Sequence, residues 1–158
     1  MRKTFAAAMM AGTLILFGTP ASSQPLDYGA SLTHAQAKTV SAAAVAEAQK
    51  NGWKLAIAIV GPAGELVHFE KMDGTQNGSI RIAQGKARTS AMFKRPSKAF
   101  QDAFAKGTLN ALTFPDVTAS EGGVPIVIGG KIVGAIGTSG ATGAEDGVAS
   151  MAGAAAVK

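Results

Sequence analysis

Apolar and polar positions alternate along this 158-residue chain in blocks that switch between helical and strand spacing. Thr33 stands three residues before Gln36, a capping box that opens a helix through "AQAKTVSAAAVAEAQK". Asn51-Gly52 ends it, since glycine tolerates the left-handed backbone that follows a helix. Two β-rich runs, Lys54–Val60 and Glu65–Met72, flank Gly61-Pro62-Ala63-Gly64, a hairpin signal. Ser79 is placed to cap a second helix through Met92, with Ala83, Ala87 and Ala91 as a small-residue stripe. Pro96-Ser97 begins a third helix containing Phe100 and Phe104, closed by Gly107. "NALTFPDVTASEGG" reads as a loop, and Val124–Ile128 and Lys131–Gly137 as strands joined by Gly129-Gly130. Thr142 and Glu145 form a second capping box that starts a C-terminal helix. The order predicts an α+β fold with at least four antiparallel strands and helices packed around them.

Nine of the 27 residues from 121 to 147 are glycine, which raises the question of a phosphate cradle. The spacing answers against it. Gly130-Lys131 is followed by Ile132 where a P-loop needs Ser or Thr, and "GAIGTSG" lacks the dinucleotide-binding spacing. Around Ser139 the sequence "GTSGA" is not a nucleophile elbow. Turn and close-packing roles account for most of this glycine, and Gly134 and Gly137 inside a strand admit a neighbouring backbone or a ligand.

The first residues have the order of a secretory leader: Arg2 and Lys3, an apolar run from Phe5 to Phe17, then Pro20, Ala21, Ser22 and Ser23. The run is shorter than the ~20 residues of a membrane span. Cleavage after Ala21 or Ser23 is expected, dividing the chain into a leader at 1–23, an exposed lead at 24–31 and one domain at 32–158. The product is expected to be periplasmic or extracellular, with no membrane span. The absence of cysteine excludes a lipidated cysteine and any disulfide. Such a domain depends on its core or on self-association, and a homo-oligomer is expected. The formal charge of +5 falls to +3 without Arg2 and Lys3, and no run of Lys or Arg outlines a nucleic-acid surface.

"LTHAQA", "GELVHFEKMDG", "AQGKARTSAMF", "EGGVPIVIGGKIVGAIGTSGA" and "AEDGVASMAGA" occur in the order seen in the GlcG/HbpS family, which the chain resembles from about Leu32 to Val157. That family includes extracellular haem-binding proteins and the C-terminal domain of the PduO corrinoid adenosyltransferases. The resemblance implies a profilin-like fold, a five-stranded antiparallel sheet flanked by helices, in higher oligomers. It implies haem as a cofactor and does not fix an activity.

Candidate ligands follow from residue chemistry. His34 is the first residue after the Thr33 cap, where the positive end of the helix dipole favours the neutral ring that a metal requires. It is either an iron ligand or a solvated helix-start residue. His68 falls in the second strand with Leu66 and Glu70 on one face and Val67, Phe69 and Lys71 on the other, a second metal candidate or a structural one. Met72 is a soft axial ligand or a packing residue, and Asp73-Gly74 a pocket or a turn. Lys86, the less exposed of the two helix cations Lys86 and Arg88, is the first candidate for a propionate contact. Ser139 and Asp146 flank the last capping box, either as ligand contacts or as loop and first-turn residues. Two histidines and no cysteine are too few for a closed zinc site.

The function these features suggest is an exported, oligomeric protein that binds haem or a related small ligand for uptake, storage or sensing, with a membrane sensor or transporter as partner. Two rivals remain. One is an enzyme, acting on haem or moving a proton on a small organic acid with Asp73 and Lys86; the other is an accessory protein with no small ligand. The catalytic residues of an enzyme are not identified by the sequence.

Overall fold

The computed structural model describes residues 26–158, so the leader and the first two residues of the lead lie outside the described residues. Four helices and four strands follow in the order α1 (His34–Lys50), β1 (Ala56–Val60), β2 (Leu66–Lys71), α2 (Ser79–Met92), α3 (Lys98–Ala105), β3 (Gly123–Ile128), β4 (Lys131–Ser139) and α4 (Gly143–Ala154). A 3-10 turn at Asn110–Thr113 interrupts the stretch expected as loop. The strands form one antiparallel sheet in the order β2-β1-β4-β3.

Four strands replace the five that the family resemblance implied. What lies beside β4 beyond the end of β1 is the lead itself. Ile132 N–H donates to the Asp27 carbonyl at 2.8 Å, and Gly29 and Leu32 N–H donate to the Ile132 and Val133 carbonyls at 2.8 and 3.0 Å. These bonds make a single parallel bridge at Tyr28. The Tyr28 hydroxyl then donates to the Ala91 and Met92 carbonyls at the end of α2, where the Ala91 carbonyl also accepts from Lys94 N–H.

Both capping boxes form. Gln36 N–H donates to Thr33 Oγ1 at 3.2 Å while Thr33 N–H donates to Gln36 Oε1 at 2.8 Å, and Thr142 and Glu145 repeat the exchange at α4. The second helix is capped differently from expectation. Gly78 is its N-cap and Ser79 its first helical residue, because the Ser79 hydroxyl is engaged with Gln76 and Ser139.

The two faces of the sheet are packed by different chemistry. On one, α1 and α4 cover Ile57, Ile59 and Ile136 with Val40, Ala44 and Ala149, all buried. Burying each such aliphatic chain contributes about 1.5–3 kcal/mol. On the other, Ala83, Ala87 and Ala91 of α2 lie on Ala56, Ala58 and Ala135. Small residues on both sides let helix and sheet backbones approach: a Cβ at Gly137 would strike the Ala83 carbonyl and Ala87, and one at Gly134 the Val60 carbonyl. These two strand glycines therefore admit neighbouring backbone. With both faces covered, β1 is buried along its whole length and reads as the unbroken apolar run "AIAIV".

Candidate functional site

β2 is an edge strand, and α1 crosses the same face of the sheet beside it. The β1–β2 register sets Ile59 opposite His68 and Ile57 opposite Glu70, which places both polar residues on the α1 side. A register shift between Ile59 and Val60 adds a residue to β2. Val67 consequently packs with the α1-side cluster, on the face of His68, where strict alternation had set it opposite.

At one end of this α1–β2 groove, the only two histidines of the chain meet. Their ring centroids are 5.8 Å apart and tilted by 59°. His34 is exposed at the first position of α1, and the His68 side chain keeps 21% of its surface in water. Two imidazoles whose nitrogens each sit ~2 Å from one metal atom have centroids within roughly 6 Å. The observed spacing meets that condition. Glu70 extends the site: its Oε2 lies 3.9 Å from His68 Nε2, an electrostatic contact longer than a hydrogen bond, and accepts from Ser41 Oγ at 2.9 Å. Ser41 is seven residues after His34, two turns along the same helix face. That spacing was the signal in the sequence for Ser41, which only its partner on β2 makes meaningful. Among the described residues no three His, Asp or Glu side chains gather as a ready metal cage.

Further along the groove is a cavity of about 480 Å³ lined by Trp53, Lys54, Glu70, Lys71, Met72 and Asp73 among others. Met72 packs against the core, and its sulfur accepts from Leu55 N–H at 3.5 Å. Four residues of strand put it about 13 Å from His68. That is a backbone spacing; with its sulfur engaged by Leu55 N–H and packed on the core, Met72 is not gathered with the histidine pair. Asp73 is exposed in a tight turn, with Gly74 at φ +78° and Thr75 N–H donating to the Met72 carbonyl.

Lys86 and Ser139 stand apart from this groove. α2, which carries Lys86, covers the opposite face of the sheet. Lys86 is 2% exposed, and its Nζ donates to Asp146 Oδ2 at 2.7 Å and to the Thr138 carbonyl at 3.1 Å. An amine so enclosed is not offered to a propionate at the His34–His68 groove. The ring of contacts also separates it from Asp73, which removes the acid–base pair expected for organic-acid chemistry. Arg88 is partly exposed and donates to the Gly64 carbonyl in the β1–β2 turn. Ser139 is 4% exposed and donates to Ser79 Oγ, a structural bond between β4 and α2. Burial raises the Asp146 carboxyl above its ordinary range, while Lys86 opposes the rise.

Comparison with known proteins identifies the family and the fold. Residues 32–155 match the family described as haem degrading protein HbpS-like. The GlcG protein of Escherichia coli (strain K12) is 39% identical over 108 residues, 68% of this chain and 81% of GlcG. A variant of HbpS from Streptomyces reticuli has a TM-score of 0.76 at 26% identity, covering 94% of this chain and 99% of that one. A PduOC structure described as a haem complex has a TM-score of 0.74 at 23% identity, covering 81% and 96% of the two chains, a likeness of fold. From its sequence match over most of the domain and from this shared fold, the chain belongs to the HbpS-like family.

Proposed function

We propose that the protein is an exported homo-oligomer that binds haem or a related tetrapyrrole, for uptake, storage or sensing with a membrane partner. The observation that carries this reading is the meeting of His34 and His68, from separate elements, at an open groove. Imidazole is a common axial ligand of haem iron. His34 is the first ligand in this account and His68 the second. Lys54 and Lys71, which line the cavity further along, take the propionate role first assigned to Lys86. The family's description as haem degrading supports haem as the ligand class, and it favours a second reading in which bound haem is broken down. In that case the haem iron supplies oxygen activation, and this chain's residues bind and orient the macrocycle.

Adding haemin to the purified protein tests both. A saturable Soret band supports binding, and its absence overturns the reading in favour of an accessory protein. Persistence of the band with reductant and oxygen marks a carrier; its decay marks degradation. Export is tested separately by N-terminal sequencing, which should begin near Gln24. Among the described residues no helix is long and apolar enough to cross a membrane, so an intact Met1 chain recovered in membranes would contradict the cleaved leader.

A further inference from the structure

The sheet has two edges, and they are finished differently. At β3 the outward backbone groups of Gly123 are taken by Ser97, whose hydroxyl accepts at 2.9 Å and whose N–H donates at 3.1 Å. Pro125 then offers no N–H at all, a common protection of an edge strand. β2 has no such protection. Met72 N–H donates to the Leu55 carbonyl at 3.0 Å, and with the register this fixes which β2 residues bond to β1: His68 and Glu70 do. Phe69 and Lys71 therefore turn their N–H and C=O outward. Among the described residues no partner meets these groups, and Leu66 at the same edge is 47% exposed.

An unpaired edge is a template for another strand. Charge selects the occupant and its register. If a second copy pairs antiparallel about a two-fold axis through Glu70, the two carboxylates face each other; an axis through Lys71 opposes two ammonium groups. Like charges directly opposite are destabilising. An axis through Phe69 avoids both. It sets His68 of each copy opposite the partner's Glu70, in the pair type whose side chains lie closest, while Phe69 and the partner's Phe69 exchange their outward backbone hydrogen bonds. We infer that the protein pairs with a second copy along β2 about an axis through Phe69, so that each copy's Glu70 completes the other's His34–His68 site. The inference rests on the oligomeric reading above and is independent of haem binding.

The absence of cysteine makes the test direct, because a single introduced cysteine can bond only to another copy. In the inferred pair, opposite Phe69 positions have Cα atoms about 5.5 Å apart, inside the disulfide range. The two Lys71 positions are displaced by four residues, about 13 Å. Under mild oxidation Phe69→Cys should give a reducible dimer at least ten-fold faster than Lys71→Cys. Equal rates, or a folded Phe69→Cys that stays monomeric, would overturn the register. Light scattering decides the matter if Phe69→Cys does not fold. Glu70→Lys should convert dimer to monomer, and the exchange His68→Glu with Glu70→His should restore it. A dimer that survives Glu70→Lys, or that the exchange fails to rescue, contradicts the inference. Loss of the Soret band with cross-linking intact would count against haem binding alone.

Discussion

Lys86 Nζ lies 2.7 Å from Asp146 Oδ2, and the two side chains keep only 2% and 3% of their surface in water. The pair joins α2 to the first turn of α4. The second Asp146 oxygen accepts from Ala141 N–H at 3.2 Å, so the carboxylate is held from both sides. Gly122 lies over it, and nearby Thr138 Oγ1 donates to the Asp146 carbonyl while Ser150 Oγ donates to that of Gly122. One glycine of the glycine-rich stretch, Gly122, is explained by this arrangement: backbone must pass close over a buried ion pair.

Removing one partner leaves a buried charge without compensation. Lys86→Met should therefore destabilise the fold by about 3–5 kcal/mol in urea unfolding. Adding Asp146→Asn removes the charge, and the double variant should be more stable than the sum of the single effects. A cost below about 1 kcal/mol for Lys86→Met would show the pair to be incidental.

Gly122 has φ +123°, and a Cβ there would meet Asp146 Cβ and the Thr138 carbonyl at 2.8 Å and Lys86 Nζ at 2.9 Å. Strained backbone of this kind costs on the order of 1–3 kcal/mol before any clash. Gly52, at φ +73°, has open space around its Cβ position. Gly122→Ala should lower the melting temperature more than Gly52→Ala does, and the reverse order would contradict this packing.

Glu145 provides a pH signature. The Thr142 backbone N–H, and then its hydroxyl, lower the carboxyl's pKa from the ordinary 4.5. A depressed carboxylate pKa adds stability above the unfolded value, and that stability is lost as pH falls through the folded one. Glu145→Gln keeps an acceptor but cannot titrate. The melting-temperature gap between wild type and Glu145→Gln should be present near pH 6 and close as pH drops below 4.5. A gap unchanged at pH 3 would rule out the carboxylate as its source.

The parts of the fold written in local signals were legible in the sequence. Thr33 with Gln36, Thr142 with Glu145, and Gly129-Gly130 each mark an element boundary that forms as read. The fifth strand was not local. It came from family resemblance, and in this chain the free side of β4 is met by the lead, in one bridge at Tyr28. The extra β2 residue was also hidden, because a period of two carries no mark of a bulge, and it moves Val67 to the His68 face. Ser79 looked like a cap until its hydroxyl found Gln76 and Ser139. Lys86 and Asp146 could each be singled out, but partners 60 residues apart are joined only by the fold. The same holds for His34 and His68, whose juxtaposition depends on α1 lying beside an edge strand.

The central claim is that these two histidines hold haem iron, and haemin titration followed through the Soret band tests it most directly. His34→Ala should shift or abolish the band and weaken affinity at least ten-fold, and His68→Ala should have a smaller effect in the same direction. Lys86→Met, far from the groove, should leave the band position unchanged in whatever fraction stays folded. A haemin spectrum and affinity unaltered in the double His34→Ala, His68→Ala variant would contradict the account.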